Sequence, residues 1–153
     1  MVSSLPEMWE SERDQRGAAY HEAGHAVVAW ALGLVVRRVE IAVDSDDAKG
    51  AAEIEDDPTL DLLDRLAICA AGREAQKLFD APTHDGAGWG DYGKMVVLLA
   101  NREEKRQIEW MHRGHKRAFD LISLHRGKID RLAKTVIEKK RVEADEIAAL
   151  LAD

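Results

Sequence analysis

The sequence predicts a mainly α domain with one small β-hairpin. Three observations carry that expectation. Apolar residues recur at helical spacing over most of the chain. A single run, Val35 to Val43, is rich in β-branched residues and is followed by a polar turn and a short apolar return. With 153 residues, 46% apolar and 33% charged, the chain has the size and composition of one folded domain, 1–153, without repeats or a low-complexity linker.

The elements follow in order. Residues 1–10 are expected to be a loose arm. Ser11 with Asp14 makes a capping-box-like start, and a helix runs from there to Leu32, with Gly33 suited to the position after its end. Val35 to Val43 reads as a strand, Asp44 to Gly50 as a turn, and Ala51 to Glu55 as the return strand. Asp57-Pro58 looks like an N-cap followed by proline at the first helical position. The helix it opens carries Leu62, Leu63, Leu66, Ala70 and Leu78 on one face and ends near Phe79. Ala81 to Gly90 holds one proline and three glycines, so an irregular loop is expected. Asp91 starts helical pattern that continues almost to the end, with breaks near Asn101 and Arg141-Val142 and a short last helix bearing Ile147, Leu150 and Leu151.

Composition narrows the function. A net charge of −7 and a pI near 5.4 argue against a nucleic-acid binder. The late basic clusters, His112 to Arg117 and Lys139 to Arg141, read as solvated helix faces interleaved with acids. A lone cysteine, Cys69, permits no internal disulfide and sits in an apolar stretch as filler. The start has no secretory pattern, and the longest apolar run, Ala26 to Val36, is far short of the ~20 residues of a membrane span. A cytoplasmic location is the expectation.

His21-Glu22-Ala23-Gly24-His25 is an H-E-x-x-H motif. Residues four apart share a helix face, so two imidazoles at this spacing can reach one metal at ~2.0–2.1 Å. Zinc lowers the pKa of a bound water toward ~7, and a glutamate beside the first ligand can accept its proton during attack on a carbonyl. The competing reading is a pair of ordinary surface or capping histidines. Apolar Ala26, Val27, Val28, Trp30 and Leu32 follow at once, so the helix is expected to be buried, and buried histidines and a glutamate need partners. His112 and His115 are also close in sequence, but flanking arginines and a lysine disfavour a metal there. Trp30 and Trp110 read as core, and Trp89 as a candidate pocket wall.

The stretch Ala19 to Ala29 resembles the zinc-binding helix of the FtsH-type ATP-dependent metalloproteases. Further segments agree in order: Val36 to Ile41 with the strand after that helix, Ala71-Gly72-Arg73-Glu74-Ala75 with an Ala-Gly-Arg-x-Ala helix, Gly86-Ala87 and then Asp91 with a Gly-Ala-x-x-Asp segment, and His125 to Leu151 with the closing helices. The resemblance covers about residues 18–97 and 115–152. It implies a helical zinc metallopeptidase domain, with Glu22 as catalytic base, His21 and His25 as zinc ligands and, by position, Asp91 as the third. The Gly-Ala to Asp spacing is one residue longer here, and Glu74 and His84 remain competitors.

Three departures stand out. No G-x-x-x-x-G-K-[ST] phosphate loop occurs in the 153 residues, so the resemblance is to the peptidase part without the ATPase module. Gln76-Lys77 stand where the family usually has an acidic pair. Val97 to Arg113 matches poorly and looks shortened. The resulting expectation is an ATP-independent zinc peptidase acting on unfolded proteins or peptides, drawing the substrate strand along the edge of the Val35–Val43 hairpin. No nucleic-acid partner is expected, and a homo-oligomer is allowed. The alternative is a catalytically weak or inactive FtsH-like module that binds a protein partner.

Overall fold

The structure, a computed structural model, describes residues 4–41, 50–82 and 89–152. Helix α1 spans Ser4–Ala31. It therefore begins where a loose arm was expected, well before Ser11. Pro6 does not oppose this, because the first turn of a helix has no intrahelical acceptor for its N–H groups. Gly33 takes a positive φ of 90° after the helix, as its place in the sequence predicts. Strand β1 (Val36–Ile41) pairs antiparallel with β2 (Gly50–Ile54), which gives the expected hairpin.

Helix α2 runs Leu62–Leu78, starting later than the Asp57-Pro58 signal suggested. Asp57 turns its carboxylate onto Thr59, accepting from the backbone N–H at 2.9 Å and the hydroxyl at 2.6 Å, and so holds a tight turn. The N-cap is Asp61, which accepts from Asp64 N–H at 2.9 Å. Helices α3 (Trp89–Leu98), α4 (Glu104–Leu124) and α5 (Arg126–Lys139) follow, then β3 (Arg141–Glu143) and α6 (Ala144–Leu151). The break near Asn101 is found, and a further one falls at His125. The Arg141-Val142 break is a third strand, which pairs antiparallel with β1 through Val39 and Val142. The sheet order is β2-β1-β3, so β1 is central and cannot offer a free edge.

The fold is mainly α, and the part of its core that positions the site is where α1 crosses α2. Ala19, Ala23, Ala26 and Val27 of α1 and Leu66, Ala67, Ala70, Ala71 and Ala75 of α2 are all buried. These small side chains let the helices approach closely. A Cβ built on Gly24 would lie 2.6 Å from Ala75 Cβ and 2.7 Å from Ala71 O. Any side chain there forces the helices apart, at a cost of roughly 1–3 kcal/mol or more. On the far side of α2, Gly114 of α4 meets Leu66 in the same way, with its virtual Cβ 2.8 Å from Leu66 Cβ. On the other flank of α1, Tyr20 O–H donates to Asp130 of α5 at 2.5 Å. Among the described residues, no helix is long and apolar enough to cross a membrane.

Candidate metal centre and cleft

The crossing fixed by Gly24 brings the middle of α2 under the first histidine-bearing turn of α1. His21 Nε2 and His25 Nε2 lie 3.1 Å apart. Asp91, in the first turn of α3, sends Oδ2 to within 2.8 Å of the former and 3.0 Å of the latter. Three atoms thus converge on one point from two helices distant in sequence.

The protons decide what these atoms are. His21 Nδ1 is 2.6 Å from Gln76 Oε1, and the Gln76 amide is oriented by its own Nε2, which donates to Pro82 O at 2.8 Å. His25 Nδ1 is 2.6 Å from the Ile68 carbonyl oxygen. Both partners only accept, so both Nδ1 atoms carry the hydrogen. In the neutral imidazoles both Nε2 atoms then present lone pairs, toward each other and toward a carboxylate oxygen. Something positive has to sit among them, a proton or a cation. In the metal-free protein a proton serves. Burial disfavours a charged His25, but the hydrogen bond and charge of Asp91, with the charge of Glu22, outweigh it and raise its pKa. Burial would raise the pKa of Asp91, yet hydrogen bonds from His21 and His25 hold it far below the usual carboxylate range.

The arrangement also fits a metal. Donors at ~2.0–2.1 Å from a tetrahedral zinc stand about 3.3 Å apart, and the three observed separations, 2.8, 3.0 and 3.1 Å, need only a small expansion. Two imidazoles and a carboxylate are a common zinc donor set. Room is left by Gly72, where a Cβ would come 2.5 Å from His21 Nε2 and 2.6 Å from His25 Nε2. A side chain at 72 would occupy the space in front of both nitrogens.

Glu22 lies beside this point. One of its carboxylate oxygens is within 4.8 Å of the histidine nitrogens, a gap that one water can bridge. Burial raises its pKa, Asp91 adds to the rise, and His25, His21 and Lys94 offset it in part. Edge strand β2 packs on it closely, since a Cβ on Gly50 would sit 2.6 Å from Glu22 Cγ. The four residues line one cleft of about 1080 Å³, whose walls are β2 and α3 and whose floor includes Ile68 and Cys69 of α2. Cys69 is therefore a cleft residue as well as filler, and burial pushes its thiol up to about 11.

Of the other candidates, Glu74 and the α4 histidines lie away from this point. Glu74 points away from the histidines and accepts from His115 Nδ1 at 2.7 Å and from Lys77 Nζ at 3.4 Å. His84 and the Gly86-Ala87 segment lie outside the described residues, as does the Trp89 side chain. His112 is exposed. Trp30 and Trp110 are only partly buried, and Trp110 is flanked by the guanidinium groups of Arg102 and Arg113, with carbons 5.4 and 4.3 Å from its ring centre.

Gln76, Gly72 and Gly50 are site residues that the sequence did not single out as such. The available signals were a glutamine on the apolar face of α2 and a glycine one turn before it.

A mainly α fold with an H-E-x-x-H helix, a facing carboxylate and a cleft along a sheet edge defines the class: a helical domain with a candidate metal centre. Within that class, the chain resembles the FtsH-type zinc metalloproteases over nearly its whole length. It is 27% identical to the ATP-dependent zinc metalloprotease FtsH 2 of Sphaerobacter thermophilus, with 92% of this chain and 27% of the relative aligned. It is 26% identical to the FtsH of Thermotoga maritima, covering 94% of this chain and 31% of that one. With FtsH 3 of Symbiobacterium thermophilum the figures are 23%, 92% and 30%. The chain thus spans less than a third of the length of these curated relatives. The Thermotoga match runs over 193 positions against the 153 residues here, so the relative has extra residues within the matched region. No family model matches the chain.

Proposed function

We propose that this chain is a zinc-dependent peptidase that hydrolyses peptide bonds in unfolded proteins or peptides, with His21, His25 and Asp91 as the zinc ligands and Glu22 as general base. The observation that carries the reading is the convergence of two Nε2 lone pairs and one carboxylate oxygen within 3.1 Å, beside a half-buried glutamate. Zinc held there would supply Lewis acidity, making water acidic enough to lose a proton near neutrality and polarising the substrate carbonyl. Glu22 takes the proton of the attacking water at its carboxylate and passes it to the leaving amine. Its raised pKa suits a group that must hold a proton between these two steps. Gln76 and the Ile68 carbonyl keep both rings turned so that Nε2, not Nδ1, faces the cleft.

The substrate enters as an extended strand. Among the described residues β2 pairs with β1 along one edge only, and Gly50, Ala51, Ala52 and Ile54 line the cleft, so its other edge is where a peptide backbone adds. This replaces the edge of Val35–Val43, whose central strand is already paired on both sides. Only chain that is already open can lie there, and stable domains at ~5–15 kcal/mol open rarely. No step of this chemistry uses a nucleotide, so cleavage by this chain is independent of ATP.

The test is Glu22→Gln, which keeps size and removes the base. On unfolded casein-like substrates and peptides it should lower the rate by ~10²–10⁴-fold while zinc content stays unchanged. Wild type and variant cutting a broad panel equally poorly would sink the peptidase reading in favour of a binding module.

A further inference from the structure

We propose that Lys94 makes the cleft selective for substrates carrying a carboxylate close to the scissile bond. The inference rests on the peptidase reading for the word scissile, and on the cleft alone for the binding preference.

The charges that line the cleft are nearly all accounted for. Arg65 is consumed within the protein: it donates to Asp57 O at 2.7 Å and Leu60 O at 3.0 Å and pairs with Asp56 at 3.2 Å. Glu55 is bound to Arg37. Lys94 also lines the cleft, is exposed, and makes no hydrogen bond or ion pair among the described residues. It stands one helical turn after Asp91 on α3, so its side chain leaves the helix on the same face as the carboxylate that meets the two histidines. Its ammonium acts on the cleft interior, offsetting in part the rise that burial imposes on the pKa of both Glu22 and Cys69. Space surrounds this turn, since a Cβ built on Gly90 or on Gly93 would meet nothing within 4 Å.

A cation held over a cleft with no partner among the described residues is satisfied by an anion that the ligand brings. A peptide can bring an aspartate or glutamate side chain, or its own terminal carboxylate. The chemistry is the same for either source, and the two are separable. The net charge of −7 works against anions at long range. The preference is therefore local, and it is to be read at about 0.15 M salt, where charges beyond ~8 Å are screened.

The experiment measures peptide binding by fluorescence anisotropy with the zinc-loaded Glu22→Gln protein, so that nothing is cut. The probes are a labelled neutral decapeptide, the same peptide with one aspartate at each central position in turn, and each of these with a free or amidated C-terminus. The best carboxylate-bearing probe should bind about fivefold tighter than the neutral amidated one, the upper range of a partly solvated ion pair. Lys94→Met should bring that ratio to below twofold, and Lys94→Glu should invert it. Loss of the gain on amidation assigns the terminal carboxylate, and its survival assigns the side chain. Equal binding of all probes, or a preference that persists in Lys94→Met protein with native circular dichroism, would overturn the proposal. A wild type that cuts nothing would sink the peptidase reading and leave this binding readout standing.

Discussion

Two helices of this protein carry closely spaced histidines, and only one pair converges. On α1, His21 and His25 are four residues apart and their Nε2 atoms approach to 3.1 Å. On α4, His112 and His115 are three apart; His112 is exposed and His115 is spent on Glu74. The contrast lies less in the spacing than in what occupies the second ring nitrogen. Each α1 histidine gives its Nδ1 hydrogen to a fixed acceptor, which leaves Nε2 bare and aimed. The α4 histidine gives Nδ1 to a carboxylate that already needs a donor, so the pair ties α4 to α2. A glycine lies beside each pair, with different neighbours. A Cβ on Gly72 would occupy the space in front of both α1 ring nitrogens, at 2.5–2.6 Å, whereas one on Gly114, between the α4 histidines, would meet Leu66 at 2.8 Å.

The harshest way to break the first pair is to fill that space. Gly72→Ala puts a methyl 2.5–2.6 Å from both nitrogens, and zinc affinity should fall by more than about 100-fold, since donor geometry within ~0.2 Å is what a metal site demands. Titration against a zinc chelator measures it, and an affinity within a few-fold of wild type would mean that the space is not the metal's. Gln76→Leu keeps the volume and removes the acceptor from His21. Affinity should drop ~10–100-fold through a ring free to turn, with Gln76→Glu restoring it, as expected of an outer partner of a ligand. No change in Gln76→Leu would show that His21 orients itself. The second pair should respond in the opposite sense. His115→Ala strands the buried Glu74 carboxylate with Lys77 alone, so denaturant unfolding should show a loss of about 1–3 kcal/mol with zinc affinity unchanged. Lost zinc there would erase the distinction drawn between the helices.

The same contrast explains what was legible in the sequence. The H-E-x-x-H helix could be read because its signal is local: ligand spacing, the glutamate between, and the apolar run that follows. Asp91 came only from resemblance, since 66 residues and three elements separate it from His25. Gln76, Gly72 and Gly50 were opaque for a physical reason. Their roles exist only once α1 and α2 cross at Gly24 and β2 folds over Glu22, and nothing near them in sequence announces a partner. In the fold, the helix end marked by Gly33 was readable, whereas β3 was not. Three residues with one buried valine carry no period, and only pairing with β1 makes them a strand. The start of α2 was misread because Asp57-Pro58 and Asp61 offer two caps, and Asp57 satisfies itself on Thr59.

The central proposal is that His21, His25 and Asp91 together hold one zinc ion and that the α4 histidines hold none. Elemental analysis of the purified protein tests it most directly, comparing wild type with His21→Ala, His25→Ala, Asp91→Ala and the double variant His112→Ala/His115→Ala. The account predicts about one zinc per chain in wild type and in the double variant, and close to none in the other three. Zinc retained by Asp91→Ala or His25→Ala protein, or lost only when the α4 histidines are removed, would contradict it.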